Sequence, residues 1–173
     1  MADYYYSAGG NLSPSDFGKL MFPQPEDQTN YEYPHDGLLQ AYGVVKDNEI
    51  RQPQHLDAHG EKVLLVVKHG LTTGTTIGRI TGLTLSLAST PTTASSTRPS
   101  RHPSCPTTSS MAFSVRGDSG SSIHTRDGRI ITLLTGGGGT TGETDVTYGD
   151  PYWWIEDQIK KRFPGCHLYQ VVG

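Results

Sequence analysis

Apolar positions follow two rhythms along this chain. The run Val63-Leu-Leu-Val-Val is continuous, which predicts a strand buried on both faces or nearly so. Ile77 and Ile80 lie in a second strand, separated from the first by Gly70 and Gly74. Farther on, Ser121-Ser-Ile-His-Thr, then Arg126-Asp127-Gly128, then Arg129-Ile-Ile-Thr-Leu-Leu-Thr reads as strand, tight turn, strand. Near the end a helical rhythm takes over over about 151–163: Tyr152, Ile155, Ile159 and Phe163 form one stripe expected to pack on the sheet. Asp150 and Pro151 are expected to be its cap and first-turn proline. Lys160, Lys161 and Arg162 suit its negative end, and Pro164-Gly165 stops it. Trp153 and Trp154 are expected at core and rim.

The first 60 residues lack such rhythm and are rich in turn formers. Ser13 is placed to cap a brief helix through Asp16, Phe17 and Leu20, and a further short element falls at Leu38 to Val45. The domain reading is therefore an irregular connecting segment over 1–60 and a strand-bearing domain with a closing helix over 61–173. Residues 86–110 stand apart: 18 of the 25 are Ser, Thr or Pro, and none is acidic, glycine or Phe, Trp or Tyr. Such a stretch is expected neither to pair as a strand nor to bury a face. Two readings stay open for it, a linker or O-glycosylated insertion, and a passage translated in a shifted frame.

Composition narrows the function. A net charge of −3 gives no electrostatic case for nucleic acid or an anionic membrane as partner. No apolar run approaches spanning length and the opening residues form no secretory signal, so the chain as given reads as soluble and intracellular. Cys105 and Cys166 are too few for a disulfide framework.

The chemistry centres on Phe113-Ser-Val-Arg-Gly-Asp-Ser-Gly-Ser. A serine hydroxyl needs a base to become a nucleophile, and an acyl-transfer oxyanion needs converging N–H donors, which glycine two residues upstream permits. This run resembles the nucleophile loop of the chymotrypsin-like (trypsin-like) serine proteases. The hairpin after it is similar to that of the family, and so is the lysine- and threonine-bearing hairpin Lys68-His-Gly-Leu-Thr-Thr-Gly, in the form met in microbial and fungal members. Asp145-Val-Thr-Tyr-Gly-Asp-Pro resembles the last barrel strand, so the likeness covers about residues 61–163.

The resemblance implies an all-β fold, a six-stranded antiparallel barrel, incomplete or distorted at 86–110 and closed by one C-terminal helix. It implies Ser119 as nucleophile, Gly117 and Ser119 as oxyanion N–H donors, and Asp118 as a buried, cation-paired support of the loop. Thr135, Gly136 and Gly137 would hydrogen-bond an extended peptide or protein substrate, and Phe113 would set the floor of the primary specificity pocket. No cofactor or metal is implied.

The family's order is histidine, aspartate, serine. No upstream histidine here has the family's context: His35 beside Asp36, His55, His59 and His69 read as loop or surface residues, His102 falls in the odd segment, and His124 and His167 follow the serine. A two-barrel protease usually exceeds 200 residues, and Leu12-Ser-Pro-Ser-Asp-Phe through Tyr31-Glu-Tyr-Pro-His-Asp-Gly resembles the connection that some fungal relatives carry after the catalytic aspartate. His55-Leu-Asp-Ala-His59 has a two-imidazole spacing but no third ligand, and Gly136 to Gly139 lacks the Lys-Ser or Lys-Thr of a phosphate loop. Three hypotheses remain: the C-terminal half of a serine endopeptidase, inactive alone; a non-catalytic pseudoprotease or peptide-binding module; and a hydrolase using an in-chain histidine such as His35.

Overall fold

The apolar run at 63–67 becomes the centre of strand β4 (Lys62–Gly70), and its alternate residues feed two separate cores. Successive strand side chains point to opposite faces. Leu64 and Val66 therefore join Ile80, Phe113, Ile123 and Ile131 on one face, while Val63, Leu65 and Val67 meet Phe17, Met21 and Phe22 on the other. The computed structural model describes residues 5–7, 12–29, 31–34, 37–80, 102–106, 112–138 and 146–168.

β4 turns back into β5 (Gly74–Ile80) through seven antiparallel pairs, from Leu64↔Ile80 to Gly70↔Gly74. β5 pairs with β6 (His102–Pro106), β6 with β9 (Val146–Pro151), β9 with β8 (Ile130–Gly138), and β8 with β7 (Ser122–Thr125). β7 pairs in turn with β4 through Val66↔Thr125, Val67↔His124 and Lys68↔Ile123. The fold is thus an all-β antiparallel barrel wall with one C-terminal helix, α4 (Tyr152–Arg162). Its shortest ladders are at β6 and β7, each of which makes three pairs with each neighbour in the barrel wall. β3 (His55–Leu56) extends the sheet beside the start of β4.

Strand β6 corrects the expectation that nothing within 86–110 can pair. A ladder is built from main-chain groups, and a place between two waiting strands outweighs the poor strand propensity of the side chains. The rest of 86–110 lies outside the described residues.

The N-terminal segment is more ordered than an irregular connection. α1 (Pro14–Met21) starts where Ser13 accepts a hydrogen bond from the Asp16 N–H at 3.1 Å, as its sequence suggests. It buries Phe17 and Met21 completely on the outer face of β4 and β5. Short helices α2 (Pro25–Gln28) and α3 (Asp47–Arg51) follow, and β1 (Tyr5–Ser7) pairs with β2 (Leu38–Gln40). Main-chain bonds then fasten the segment to the β7–β8 turn: Tyr42 N–H donates to the Gly128 carbonyl at 3.0 Å, and Val45 N–H to Ile130 at 2.9 Å. Arg126 bridges to Asp27 at 2.5 Å and Arg129 to Glu49 at 2.7 Å.

Two details of α4 differ from the sequence expectation. Asp150 is not its cap, because β9 runs through Pro151 and the Asp150 carbonyl accepts from the Thr132 hydroxyl at 2.7 Å inside the sheet. The helix starts only at Tyr152, and no side chain caps it. Nor does the expected stripe pack along its length: Tyr152 and Ile155 are half-buried, but Ile159 is 38% and Phe163 60% exposed, and Trp153 packs against the inner core. Rotation by one residue is enough to exchange which apolar row faces the barrel. Among the described residues no helix is long and apolar enough to cross a membrane.

Candidate active site

Lys68 ends the inward row of β4 that begins with Leu64 and Val66, so a cation is carried into the barrel with no exposed surface. It meets Asp118, also fully buried, with Nζ 3.3 Å from Oδ2. An isolated buried charge of either sign would be costly; paired and hydrogen-bonded, both are tolerated. The turn between β4 and β5 completes the site. Thr72 and Thr73 donate their N–H groups to Asp118 Oδ1 at 2.8 and 3.2 Å, and the Thr73 hydroxyl donates to Oδ2 at 2.7 Å while accepting from Lys68 Nζ at 2.6 Å. Val115 N–H adds a bond to Oδ2 at 3.1 Å. Burial pushes the Asp118 carboxyl up, but these donors, the Thr73 hydroxyl foremost, outweigh it and hold the group well below the ordinary carboxylate range.

The loop is thereby pinned at Asp118 while its neighbours stay on the surface. Ser119 and Gly117 are exposed, and Gly117 has φ +104°, a conformation in which a side chain is strained. Its tight approach to Thr72 leaves no room for a Cβ in any case. The Gly120 N–H donates to Leu134 O at 2.8 Å and Leu134 N–H to Ser121 O at 2.9 Å, which ties the serine loop to β8. Among the described residues, the N–H groups of Gly117 and Ser119 donate to no other group, and the Ser119 hydroxyl has no hydrogen-bond partner.

Beyond that tie, β8 changes character. Ser122↔Leu133 is the last pair with β7, whereas Gly136, Gly137 and Gly138 continue to pair with Tyr148, Thr147 and Val146 of β9. One edge of β8 is therefore unpaired past Leu134 among the described residues. Thr135 occupies the register shift between Leu134 and Gly136, with its side chain exposed. Phe113 has no exposed surface and belongs to the inner core, with its ring centre 5.5 Å from Lys68 Nζ. Beside it Ser114 Oγ lies 2.6 Å from Thr147 Oγ1, close to Gly137.

Among the described residues no histidine hydrogen-bonds to Ser119. His55 is on β3 and His59 in the turn after it, so the helical two-imidazole spacing does not arise; Asp57 instead accepts the His59 and Glu61 N–H groups at 2.8 and 2.9 Å. Among the described residues no cluster of three metal-ligating side chains occurs. His69 contacts Thr75 Oγ1 at 2.9 Å, and exposed His167 follows α4. His35 lies outside the described residues. His124, on β7, is buried and 2.8 Å from Ser122 Oγ. The signal in the sequence for Lys68 as the partner of Asp118 is a lone lysine that closes an apolar strand and runs into His-Gly-Leu-Thr-Thr. Ser114 and Thr147 carried no signal at all.

No family model matches the chain, and no curated protein matches it. Among solved structures it is similar to the chymotrypsin of Cellulomonas bogoriensis, with a TM-score of 0.45 and 20% identity over 73% of this chain and 56% of that one. The chain thus spans little more than half the length of that chymotrypsin.

Proposed function

We propose that the chain is the nucleophile-bearing half of a chymotrypsin-like serine endopeptidase. In the whole protein, Ser119 attacks the peptide carbonyl while the Gly117 and Ser119 N–H groups stabilise the oxyanion. The observation that carries this reading is the Lys68–Asp118 anchor: it fixes the loop from inside and leaves those two donors unengaged. The unpaired edge of β8 at Thr135–Gly137 takes up an extended peptide as an added strand. Alone, the chain has no described base at Ser119, and loss of that base costs on the order of a millionfold in kcat. A peptide-binding module without cleavage is the second reading, favoured by the same edge.

The test is a fluorophosphonate probe with peptide titration in parallel. The expected result is no adduct at Ser119 and peptide-induced shifts in the amide signals of Gly136 and Gly137. An adduct at Ser119, with a peptidase rate lost in Ser119→Ala, overturns the inactivity of the isolated chain. Sequencing the native transcript upstream of Met1 then separates the two readings: a barrel bearing histidine and aspartate supports the endopeptidase, and confirmation of this start supports the binding module.

A further inference from the structure

Three residues past Ser119, directly after Ser121, the chain places a serine that has a histidine beside it. Ser122 and His124 are alternate residues of β7 and share its outer face, opposite Ile123 in the inner core. Ser122 Oγ is 2.8 Å from His124 Nε2. The other ring nitrogen, Nδ1, lies 3.4 Å from the Gly128 carbonyl, which can only accept. Nδ1 therefore carries the proton of the neutral ring, Nε2 presents its lone pair, and the Ser122 hydroxyl donates to it. Burial holds the imidazole neutral, with a pKa brought down to about 4 against a smaller opposing effect of the Gly128 carbonyl. Ser122 itself is partly exposed.

This is a nucleophile, a base and an orienting acceptor in one hydrogen-bonded row. We propose that Ser122 and His124 form an acyl-accepting dyad that reacts with small activated esters, independently of Ser119. As Oγ attacks, a bond forms from Oγ to the acyl carbon and the hydroxyl proton passes to Nε2. The tetrahedral species collapses by breaking the carbon–oxygen bond to the leaving group, and the proton on Nε2 neutralises the departing aryloxide. Water, deprotonated by the same nitrogen, later releases the acid and restores Ser122.

The full chain is incubated with p-nitrophenyl acetate, nitrophenolate release is followed, and the acetylated residue is located by peptide fragmentation. The expected result is acetyl on Ser122, and a nitrophenolate burst lost in Ser122→Ala because the acyl-accepting oxygen is gone. His124→Gln is expected to lose the burst as well, with Ser122→Ala as the variant that leaves the buried ring in place. Acetyl found at Ser119 or on lysines with none on Ser122, or a burst that survives Ser122→Ala, overturns the proposal.

Discussion

The two faces of β4 support two different serines. On the inner face, Lys68 reaches Asp118, and five donors on one carboxylate hold the loop in which Ser119 stands without a described partner. On the outer face, Val67 lies opposite His124, which bonds Ser122 while the N-terminal segment covers the neighbouring apolar surface. The inner site pins its loop but, among the described residues, sets no histidine in hydrogen-bonding contact with Ser119, whereas the outer site sets a histidine beside its serine without a pinned loop. Holding a serine loop in shape and bonding a serine to an imidazole thus fall to different faces, because a strand sends alternate residues into different environments.

Removing one member of the inner pair should have the largest effect. Asp118→Ala leaves Lys68 charged in the core and strips Thr72, Thr73 and Val115 of their acceptor; breaking a buried pair in this way costs about 3–5 kcal/mol. Urea denaturation of the variant measures it. A loss under about 1 kcal/mol would mean that water reaches the pair.

Acid should separate the two faces. The His124 pKa is lowered in the fold to about 4, from 6.5, so between those values the unfolded chain binds the proton that the native chain refuses. Its contribution is complete above pH 6.5 and is lost as pH falls toward 4, about 3 kcal/mol in all. His55, also lowered by burial, acts in the same direction. Asp118, a depressed carboxylate, loses its contribution only as pH falls below the ordinary carboxylate range. Denaturation midpoints from pH 7 to 4 for the native chain and His124→Gln isolate the His124 share, which should vanish in the variant while that of His55 remains.

Gly70→Ala probes the inner face by crowding. A Cβ there would collide with the Asp118 carboxyl and come within 2.8 Å of Lys68 Nζ. Overpacking of this kind costs about 1–3 kcal/mol. The expected outcome is a lower urea midpoint together with displaced amide signals across 115–120, and unchanged signals in β7 would show that the two faces relax independently.

Much of the barrel was legible because strand β4, the Asp127-Gly128 turn and the Ser13 cap each carry local signals that agree with the fold. The β6 strand was not, since its ladder comes from neighbours far away in sequence and its own residues are poor strand formers. The α4 stripe failed for a related reason: Tyr152, Ile155, Ile159 and Phe163 have the right spacing, but periodicity gives a face without saying which neighbour covers it. At the site, the Gly117–Ser121 motif was readable as a loop, whereas the Ser122–His124 contact depends on strand pairing to bury the ring.

The smallest effect expected is on the fastening of the outer cover. Arg126 pairs with Asp27 at 2.5 Å and lies 5.2 Å from the centre of the Phe22 ring, both belonging to the N-terminal segment. The guanidinium is partly shielded, so the ion pair and the ring contact together are worth about 1 kcal/mol. Arg126→Ala should lower stability by that amount, and the deficit should shrink in 1 M salt because the ionic part is screened there while the ring contact persists. If the cover is what keeps His124 buried, the variant should also raise the His124 pKa from about 4 toward 6.5, visible in the imidazole proton signals on titration. An unchanged imidazole titration would assign that burial to β4 and β8 alone, and the two faces of the barrel would then differ in their cover without depending on it.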